Sequence, residues 1–481
     1  MTRKDAGFVV GLATLLHAPS FFRPFMDIDE GSFAGIACRL VEGGRVYHDG
    51  VENKLPGMFY VYKAVFAMFG RYNMVAIHVA VTLAAIATAF AIGSIARRFA
   101  GDVAERWAAL LYVVFSASYY PKMLAGNSEM FAVVPAALAV WCYLRGRDRG
   151  FGWFVAAGAF GALTLLCKQV ALATFAALLA DRFFTGRREP WRALRDLALL
   201  VVGFGAVCTA MVLHLRAIGV WDDTVFWTWT YVFRYYIPSG ANEHGFAFNL
   251  ATSFVPFAAT VSPLIYLAVR GRDRSQSVLY WWFAGNLAAG FVGGRMYGHY
   301  FLLMVPALGT LAGIGAARWL TPVHARERTW LIRLVGAMAI AFAIVAACFE
   351  GATGNAFEPS PDYRPASAYV AEHTAPSDRI FVWGWFPALY QAADRCPSTR
   401  FMYTHVHAGN AAGGVGHNVP EAWQWLMEDL TAAPPPFILD TSAGDYNFPF
   451  PPEGYPELWR FMSARYRLDT TIAGVRIFRR N

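Results

Sequence analysis

Three carboxylates stand within four residues, in the segment Asp27-Ile28-Asp29-Glu30, directly after the first apolar stretch of the chain. If a helix begins here, Asp27 and Glu30 share one side of it, because residues three apart are neighbours on a helix. A carboxylate at the edge of an apolar region could serve as a general base, with or without a cation beside it. A structural alternative is also open: Asp29 could cap a helix that starts at Gly31, with Glu30 in its first turn.

Two lysines lie where a negatively charged group could be bound. Lys54 comes directly before an apolar segment, in Asn53-Lys54-Leu55-Pro56-Gly57. It could hold the phosphate of a lipid substrate, or simply extend to lipid headgroups. Lys168 stands between two short apolar stretches. It could neutralise an acid or a phosphate, or cap the preceding helix.

Glu129 is a second acidic candidate, at the end of the run Ala125-Gly126-Asn127-Ser128-Glu129. An acid beside an apolar span is costly in free energy, so its presence favours a functional role. The structural alternative is that Asn127 or Ser128 caps the helix that follows.

A short polar segment, residues 293–300, carries Arg295, Tyr297, His299 and Tyr300 between two apolar stretches. An arginine offers a rigid fork of donors to a phosphate, and tyrosine and histidine can add hydrogen bonds. The alternative is an interfacial tyrosine belt with an arginine that binds lipid headgroups.

The elements that must position these side chains are apolar. Of the 481 residues, 57% are hydrophobic and 15% are charged, whereas soluble domains carry about 25% charged residues. This composition excludes an ordinary soluble enzyme and a disordered chain, and it predicts a polytopic helical membrane protein.

Eleven stretches are candidate membrane spans, some of them shorter than the usual length of about 20 residues. In chain order they are Gly7–Phe22, Met74–Ile95, Trp107–Tyr120, Met130–Leu144, Phe154–Cys167, Val170–Phe184, Leu197–Leu215, Leu250–Val269, Val278–Val292, Tyr300–Ala317 and Leu331–Phe349. The stretch Gly57–Gly70 is short and interrupted by Lys63, which favours an interfacial or re-entrant helix over a twelfth span.

The basic residues test this topology. With a net charge of +8, the arginines cluster at alternate junctions between the spans, on the side shared with Arg3 and Lys4. The clusters are Arg97, Arg98 and Arg106; Arg145, Arg147 and Arg149; Arg182, Arg187, Arg188, Arg192 and Arg195; Arg270, Arg272 and Arg274; and Arg318, Arg326, Arg328 and Arg333. The positive-inside rule places that side in the cytoplasm, and a bacterial inner membrane fits this pattern. The first helix is expected to remain uncleaved, with a cytoplasmic N-terminus.

Three larger segments are then expected outside: Arg23–Arg71, Arg216–Asn249 and the chain after about Gly351. Glu350–Pro365 is typical of a linker. The remainder alternates helical and strand patterns, which predicts a small α/β domain on the outer face. Its expected helices are Ala366–Thr374, Ala388–Ala393, Pro420–Ala432 and Glu457–Arg465, and its expected strands are Arg379–Trp383, Phe437–Asp440 and Ala473–Arg479.

The remaining polar and aromatic motifs predict little chemistry. The six cysteines are scattered without a CxxC spacing, which favours neither a disulfide framework nor a zinc site. His405, His407 and His417 resemble a metal cluster only loosely, because the glycine-rich segment Gly409–Gly416 separates them. The aromatic segment Trp221–Tyr236 favours an amphipathic interfacial helix over a platform for sugar rings.

The order of these motifs resembles the membrane-embedded GT-C glycosyltransferases. The features that carry the resemblance are Asp29-Glu30 after the first span, Gly43-Gly44 with Tyr47, Asn53-Lys54 before an apolar helix, Asn127–Glu129, Lys168 at a break and the run Gly298–Pro306. Within that superfamily the chain is similar to protein O-mannosyltransferases and to the lipid A aminoarabinose transferase. The resemblance extends from Ile28 to about Ala317.

The resemblance implies a transmembrane domain at residues 1–350, with its first outer loop at residues 23–71, and an extracytoplasmic α/β domain at residues 351–481. It implies a hexosyl- or pentosyltransferase that takes sugar from a polyprenyl-phosphate carrier and gives it to a glycan, lipid or protein at the outer face. A direct displacement would invert the anomeric configuration. No cofactor is certain, and a divalent cation, Mg²⁺ or Mn²⁺, is possible. No nucleic acid is expected among the partners.

The resemblance also suggests a role for each candidate. Asp29 would take the acceptor proton, supported by Glu30, and Glu129 would be a second acid lining the cavity. The carrier phosphate would be bound by Lys54 with Arg295, His299 or Tyr300, and the further cavity candidates are Asp27, Lys168 and Tyr297.

Two departures from the family pattern affect these roles. Many relatives have Lys-Pro-Pro where this chain has Lys54-Leu55-Pro56, and the lipid A enzymes have an arginine at the position of Ser32. A lipid A acceptor is therefore not favoured. The competing functions are a transporter or flippase for polyprenyl-linked glycolipids, a polymerase or ligase of another fold, and a non-catalytic assembly protein.

Overall fold

The computed structural model describes residues 1–118, 121–240, 245–320, 322–348, 361–409, 418–446 and 448–481. Most of the expected linker Glu350–Pro365, the glycine-rich segment after Gly409, and His417 lie outside the described residues. The expected boundary of the third span, Tyr120, also lies outside them.

Among the described residues before the expected linker, the regular elements are helices. Its α-helices are α1 (Arg3–His17), α2 (Ile28–Val41), α3 (Gly57–Phe69), α4 (Met74–Ser116), α5 (Ser128–Arg149), α6 (Phe151–Cys167), α7 (Leu172–Thr185), α8 (Pro190–Ala217), α9 (Trp221–Val225), α10 (Ile237–Gly240), α11 (Phe246–Asn249), α12 (Val255–Thr260), α13 (Ser262–Arg270), α14 (Ser277–Ala289), α15 (Val305–Trp319) and α16 (Ala325–Cys348). Short 3₁₀ segments include Ala18–Phe22, Gln169–Ala171, Arg274–Gln276 and Gly298–Met304. Phe226–Thr230, Val232–Tyr236 and Leu250–Phe254 are π-helical.

The C-terminal part combines helices with strands. Its elements are α17 (Arg364–Glu372), β1 (Arg379–Trp383), α18 (Ala388–Ala392), β2 (Cys396–Pro397), α19 (His405–Ala408), α20 (Pro420–Ala432), β3 (Phe437–Asp440), α21 (Pro456–Arg465), β4 (Tyr466–Ile472) and β5 (Val475–Arg480).

Six helices among the described residues are long and apolar enough to cross a membrane. They are Arg3–Phe22, Met74–Ser116, Ser128–Arg149, Pro190–Ala217, Gly298–Trp319 and Ala325–Cys348. A bent pair, Phe246–Thr260 with Ser262–Arg270, makes a seventh if its two arms, 56° apart, form one span. The 43-residue α4 contains two arms, because Ala100 and Gly101 leave the helical conformation. Gly101 has a φ of +72°, which favours glycine.

The contacts divide the chain into two units. The first unit comprises Met1–Arg23, Ile77–His214 and Phe246–Phe349, and the second comprises Pro24–Ala76, Leu215–Gly245 and Glu350–Asn481. The segments expected to lie outside therefore group with the C-terminal α/β part, whereas most of the expected spans group with one another.

The first unit is held together by apolar helix packing and by a buried polar contact. Helix α5 packs on α6, α7 on α14, and α13 on α15. Asp181 on α7 is fully buried. It accepts a 2.5 Å hydrogen bond from the hydroxyl of Tyr143 on α5 and another from Ser277 at the start of α14. A buried carboxylate must be hydrogen-bonded or paired to avoid a large desolvation cost, so this contact fixes three helices together.

The second unit is built on a five-stranded sheet with the order β2-β1-β3-β5-β4. Strands β2, β1 and β3 are parallel, with Phe381 opposite Ile438, whereas β5 runs antiparallel to both β3 and β4. The central strands β1 and β3 are almost entirely buried, as expected of strands covered on both faces.

Helix α2 of the second unit lies directly on the α/β part. A Cβ atom at Gly31 would come within 2.7 Å of Pro387, and one at Gly35 within 2.5 Å of the sulfur of Met402. These two glycines, four residues apart, share one face of α2, so a larger side chain at either would push the helix off that surface.

A disulfide joins Cys38 on α2 to Cys396 on β2. The expectation of no disulfide is therefore wrong. Spacing gave no signal because 358 residues separate the two cysteines. The usable signal was the expected topology: Cys38 and Cys396 fall in segments expected to lie outside, whereas Cys142, Cys167, Cys208 and Cys348 all fall within expected spans.

The aromatic segment expected to be an interfacial helix is helical over residues 221–240, with two π-helical stretches. Trp227 and Tyr231 are buried, whereas Trp229 and Phe233 are exposed. Tyr231 packs on Trp227 at 5.4 Å between ring centroids, and Trp227 packs on Trp425 of α20 at 5.8 Å. The segment is therefore amphipathic and is packed onto its own unit by aromatic contacts.

Candidate active site

The acidic motif forms the start of α2. Asp27 is the N-cap, and its side chain accepts a hydrogen bond from the backbone N–H of Asp29 at 3.4 Å. Glu30 completes a capping box, because its Oε2 accepts from the backbone N–H groups of Met26 at 2.6 Å and Asp27 at 3.2 Å. The alternative in which Asp29 caps a helix that starts at Gly31 is wrong in its residues. The cap is Asp27, and the helix begins at Ile28.

Capping separates the roles of the three acids. Asp27 and Glu30 are buried, and both hold the backbone of the first helical turn. The side chain of Asp29 is 29% exposed, and it lies in the same turn without taking part in the capping box. Asp29 is therefore the acid of this motif that a substrate can approach.

Lys54 lies beside Asp29. Its Nζ is 3.4 Å from Oδ2 of Asp29 and 3.4 Å from Oε1 of Glu52. The side chain also passes over the ring of Phe33, 5.2 Å from its centroid. Lys54 was expected either to extend to lipid headgroups or to hold a phosphate. The structure adds a third role, because its ammonium group bridges the carboxylates of Asp29 and Glu52.

Glu52 is a site residue that the sequence analysis did not single out. Its Oε2 accepts a 3.3 Å hydrogen bond from the hydroxyl of Ser32, and its Oε1 accepts from the backbone N–H of Asn53 at 2.8 Å. The usable signal was the run Glu52-Asn53-Lys54, in which an acid stands two residues from the basic candidate. Ser32, noted above only as a departure from the lipid A enzymes, positions this acid.

Two tyrosines support the acidic cluster formed by Asp29, Glu52 and Lys54. Tyr47 donates a 2.7 Å hydrogen bond to the carbonyl of Lys54, and Tyr403 donates one of 3.1 Å to the carbonyl of Ile28. Burial, followed by the charges of Asp29 and Glu52, raises the pKa of Tyr403 well above its usual range. Tyr403 therefore stays a neutral hydrogen-bond donor.

A second set of candidates comes together in the first unit. Lys168 pairs with Glu129 at 2.7 Å, and its ammonium group lies over the ring of Tyr300, 4.5 Å from the centroid. Lys168 also follows the last residue of α6, so it both neutralises an acid and ends a helix. Glu129 stands in the first turn of α5 and accepts a 2.9 Å hydrogen bond from Ser128. The side chain of Asn127 does not cap that helix.

The segment before α15 adds polar side chains to this second set. Tyr297, His299 and Tyr300 form mutual ring contacts, with His299 and Tyr300 4.9 Å apart between centroids. His299 is also within electrostatic range of Glu129. Arg295 is buried in the same segment. Lys168, Glu129, His299 and Tyr300 thus come together in the first unit, which also contains Arg295, and the acidic cluster belongs to the second unit.

The acidic cluster does not fit a divalent cation in its present arrangement. Magnesium and manganese prefer carboxylate oxygens, and Asp29 and Glu52 supply them. The ammonium group of Lys54 already lies within 3.4 Å of both carboxylates, so it holds the position and supplies the positive charge of such an ion. No step is assigned to a metal here.

The histidine motif is structural in the described residues. His407 is buried, its Nε2 lies 3.0 Å from the carbonyl oxygen of Ala422, and burial lowers its pKa to about 4. His405 lies 3.5 Å from the hydroxyl of Tyr231. Glu42 lies near Cys38 and Cys396, but the two sulfurs are bonded to one another and cannot serve as metal ligands.

Comparisons with known proteins match part of the chain to one family. Residues 53–214 match the model of the family described as dolichyl-phosphate-mannose-protein mannosyltransferase. That range includes Lys54, Glu129 and Lys168. No curated protein sequence matches the chain.

Solved structures share the fold over nearly the whole chain. ArnT from Cupriavidus metallidurans, bound to undecaprenyl phosphate, has a TM-score of 0.64 and 15% identity, covering 99% of this chain and 98% of that one. Its apo form has a TM-score of 0.63 and 15% identity over 98% and 97% of the two chains. The Archaeoglobus fulgidus oligosaccharyltransferase AglB, in complex with an inhibitory peptide and a dolichol-phosphate, has a TM-score of 0.55 and 10% identity over 91% and 69%.

Part of the chain is therefore similar in sequence to the dolichyl-phosphate-mannose-protein mannosyltransferases. Over nearly its whole length the chain shares the fold of ArnT.

Proposed function

We propose that the protein transfers a sugar from a polyprenyl-phosphate carrier to a hydroxyl group of a glycan, lipid or protein at the outer face of the membrane. The observation that carries the proposal is the exposure of Asp29 in a helical turn whose backbone is held by the buried Asp27 and Glu30. A rigid turn with one accessible carboxylate is suited to a general base, because the base must be held within hydrogen-bond reach of the acceptor.

The proposed reaction is one displacement at the anomeric carbon. Asp29 takes the proton of the acceptor hydroxyl, and the acceptor oxygen forms a bond to the anomeric carbon. The bond from that carbon to the phosphate oxygen breaks, and its electron pair leaves with the polyprenyl phosphate. Attack opposite the leaving group inverts the anomeric configuration.

The leaving phosphate gains charge as this bond breaks, so cationic donors lower the barrier. Lys54, Arg295 and His299 are the proposed donors, with Tyr300 as a further hydrogen-bond donor. Lys168 is held by Glu129 at 2.7 Å, and we assign this pair to orienting His299 and Tyr300. Undecaprenyl phosphate bound to ArnT and dolichol-phosphate bound to AglB support a polyprenyl-phosphate carrier here.

The membrane arrangement proposed here has eleven spans. They are α1 with the 3₁₀ turn after it, the two arms of α4, α5, α6, α7, α8, the bent segment Phe246–Arg270, α14, Gly298–Trp319 and α16. The arginine clusters support a cytoplasmic N-terminus and an inner-membrane location. The disulfide between Cys38 and Cys396 supports an oxidising compartment for the second unit, which fits an extracytoplasmic domain that includes residues 351–481.

The test is a transfer assay with radiolabelled polyprenyl-phosphate sugar and the purified protein in lipid. Asp29→Asn is expected to abolish transfer while leaving the protein folded and inserted. Glu42→Gln is the matched control, since Glu42 caps the other end of the same helix and pairs with Arg379 at 2.8 Å. Full activity of Asp29→Asn would remove Asp29 from the mechanism.

The same assay separates transfer from transport. A transferase consumes the labelled donor and releases unlabelled polyprenyl phosphate, whereas a flippase moves the donor across the bilayer intact. Movement of an unchanged donor would favour the transporter.

A further inference from the structure

A cavity of about 730 Å³ lies between α13, α14 and α15 in the first unit. Its walls are apolar and comprise Ile265, Ala268, Val269, Phe283, Leu308 and Leu311. Ile265 and Val269 are exposed, whereas Leu308 and Leu311 are buried, so the cavity opens at the surface of the helix bundle. This volume lies in the range of ligand-binding sites.

Two arginines stand at the mouth of the cavity. Arg272 and Arg274 line it and are exposed. Within the described part of the chain, neither forms an ion pair with a carboxylate. The acid between them, Asp273, lies 3.6 Å from Arg318 and accepts a 2.7 Å hydrogen bond from the backbone N–H of Ser275. The mouth therefore carries two positive charges that are not neutralised.

The turn that carries these arginines is held in place by side chains. Gln276 donates a 3.2 Å hydrogen bond to the carbonyl of Gly271, and Arg318 donates one of 2.9 Å to the same oxygen. The hydroxyl of Tyr280 accepts from the backbone N–H of Asp273 at 3.1 Å and donates to Gln276 at 2.9 Å. Because the turn is already ordered, its arginines lose little further conformational entropy when a ligand binds.

The cavity is short compared with the thickness of a bilayer. Ser277 and Phe283 both line it and stand on the same helix α14. Their separation along that helix is about 9 Å at the usual rise per residue. The hydrocarbon core of a bilayer is about 30 Å thick, so these lining residues extend over less than one leaflet.

We propose that this cavity binds an anionic glycerophospholipid, with an acyl chain between α13, α14 and α15 and the phosphate between Arg272 and Arg274. Charge complementarity selects an anionic headgroup, and the short extent of the cavity selects part of an acyl chain over a long polyprenyl chain. None of the residues assigned to sugar transfer lines this cavity, so the site is independent of the proposed function.

The experiment measures lipid retention by native mass spectrometry of the purified full-length protein. The probes are phosphatidylglycerol, phosphatidylcholine and undecaprenyl phosphate, each added to delipidated protein. Retention of one phosphatidylglycerol molecule in preference to phosphatidylcholine is expected. Because the double variant Arg272→Gln/Arg274→Gln loses two positive charges, it is expected to bind phosphatidylglycerol about thirtyfold more weakly.

Two further variants make the result specific. Arg326→Gln/Arg328→Gln removes two exposed arginines of α16, away from the cavity, and is expected to bind like the unaltered protein. Ile265→Trp fills the cavity from its exposed side and is expected to lose phosphatidylglycerol without any change in charge. Equal binding of phosphatidylcholine, weaker binding of undecaprenyl phosphate by Arg272→Gln/Arg274→Gln, or full binding of phosphatidylglycerol by that variant would overturn the proposal.

Discussion

Lys54 and Asp29 form an ion pair, with 3.4 Å between Nζ and Oδ2, at the start of a capped helix. The same Nζ also lies 3.4 Å from Oε1 of Glu52, so Lys54 pairs with two carboxylates. An ammonium group between two carboxylates offsets their mutual repulsion. In the proposed mechanism Asp29 accepts the proton of the acceptor, and Lys54 turns toward the phosphate.

Removing the ammonium group should therefore lower the rate of transfer. Lys54→Gln is expected to lower kcat/KM for sugar transfer by about two orders of magnitude, a typical loss when a stabilising charge is removed. Lys54→Arg keeps a positive charge and is expected to lose less. An unchanged rate for Lys54→Gln would contradict the role of Lys54.

Glu30 is expected to act through the backbone and not through the substrate. Glu30→Ala leaves two buried N–H groups, of Met26 and Asp27, without their carboxylate acceptor. The expected loss is about 2 kcal/mol in the free energy of unfolding, measured by thermal unfolding in detergent. Glu30→Gln keeps an acceptor at that position and should recover most of the stability. If Glu30→Gln retains stability but loses transfer, Glu30 has a direct catalytic role.

The disulfide predicts a simple labelling result. Of the six cysteines, four are free, namely Cys142, Cys167, Cys208 and Cys348. Alkylation of the denatured, unreduced protein should add four labels, and prior reduction should add two more. Cys38→Ser/Cys396→Ser is expected to lower the unfolding free energy by about 2–4 kcal/mol. Six labels without reduction would contradict the pairing.

The sequence predicted the C-terminal part best where its pattern was local. Arg379–Trp383, Pro420–Ala432 and Phe437–Asp440 match strand β1, helix α20 and strand β3 residue for residue. Strand β4, Tyr466–Ile472, was missed because only its first residue is buried, so it carries little apolar alternation. Strand β2 has only two residues. It is defined by its pairing with β1, so no sequence pattern predicts it.

The candidate site, like the C-terminal part, could be predicted from the sequence only where the pattern is local. A helix start near Asp29 could be read from the carboxylates, although the cap lies two residues earlier than expected. Glu52 was missed because its role depends on Ser32, twenty residues away on another element. The pairing of Glu129 with Lys168 could not be read either, because the two residues stand on different helices and no spacing rule links them.

That pairing predicts a strong coupling between two substitutions. Glu129 is buried and pairs with Lys168 at 2.7 Å. Lys168→Gln should cost about 3–5 kcal/mol, because it leaves the buried carboxylate of Glu129 without its partner. Glu129→Gln should cost less, because Lys168 is only partly buried. The double variant should recover part of that loss. The control is the exposed pair Glu189–Arg192, whose coupling should be below about 1 kcal/mol. Additive losses at Glu129 and Lys168 would contradict the pairing.

His407 predicts how acid affects the second unit. Burial lowers its pKa to about 4 from the usual 6.5, so the folded protein binds fewer protons than the unfolded chain between these two values. Stability from this group is complete above pH 6.5 and is lost as the pH falls toward 4, by at most about 3 kcal/mol. His407→Gln keeps a donor for the carbonyl of Ala422 but does not titrate. The difference in unfolding midpoint between the two proteins should therefore grow with pH over this window and level off above it. A constant difference from pH 4 to pH 7 would mean that His407 does not become charged on unfolding in acid.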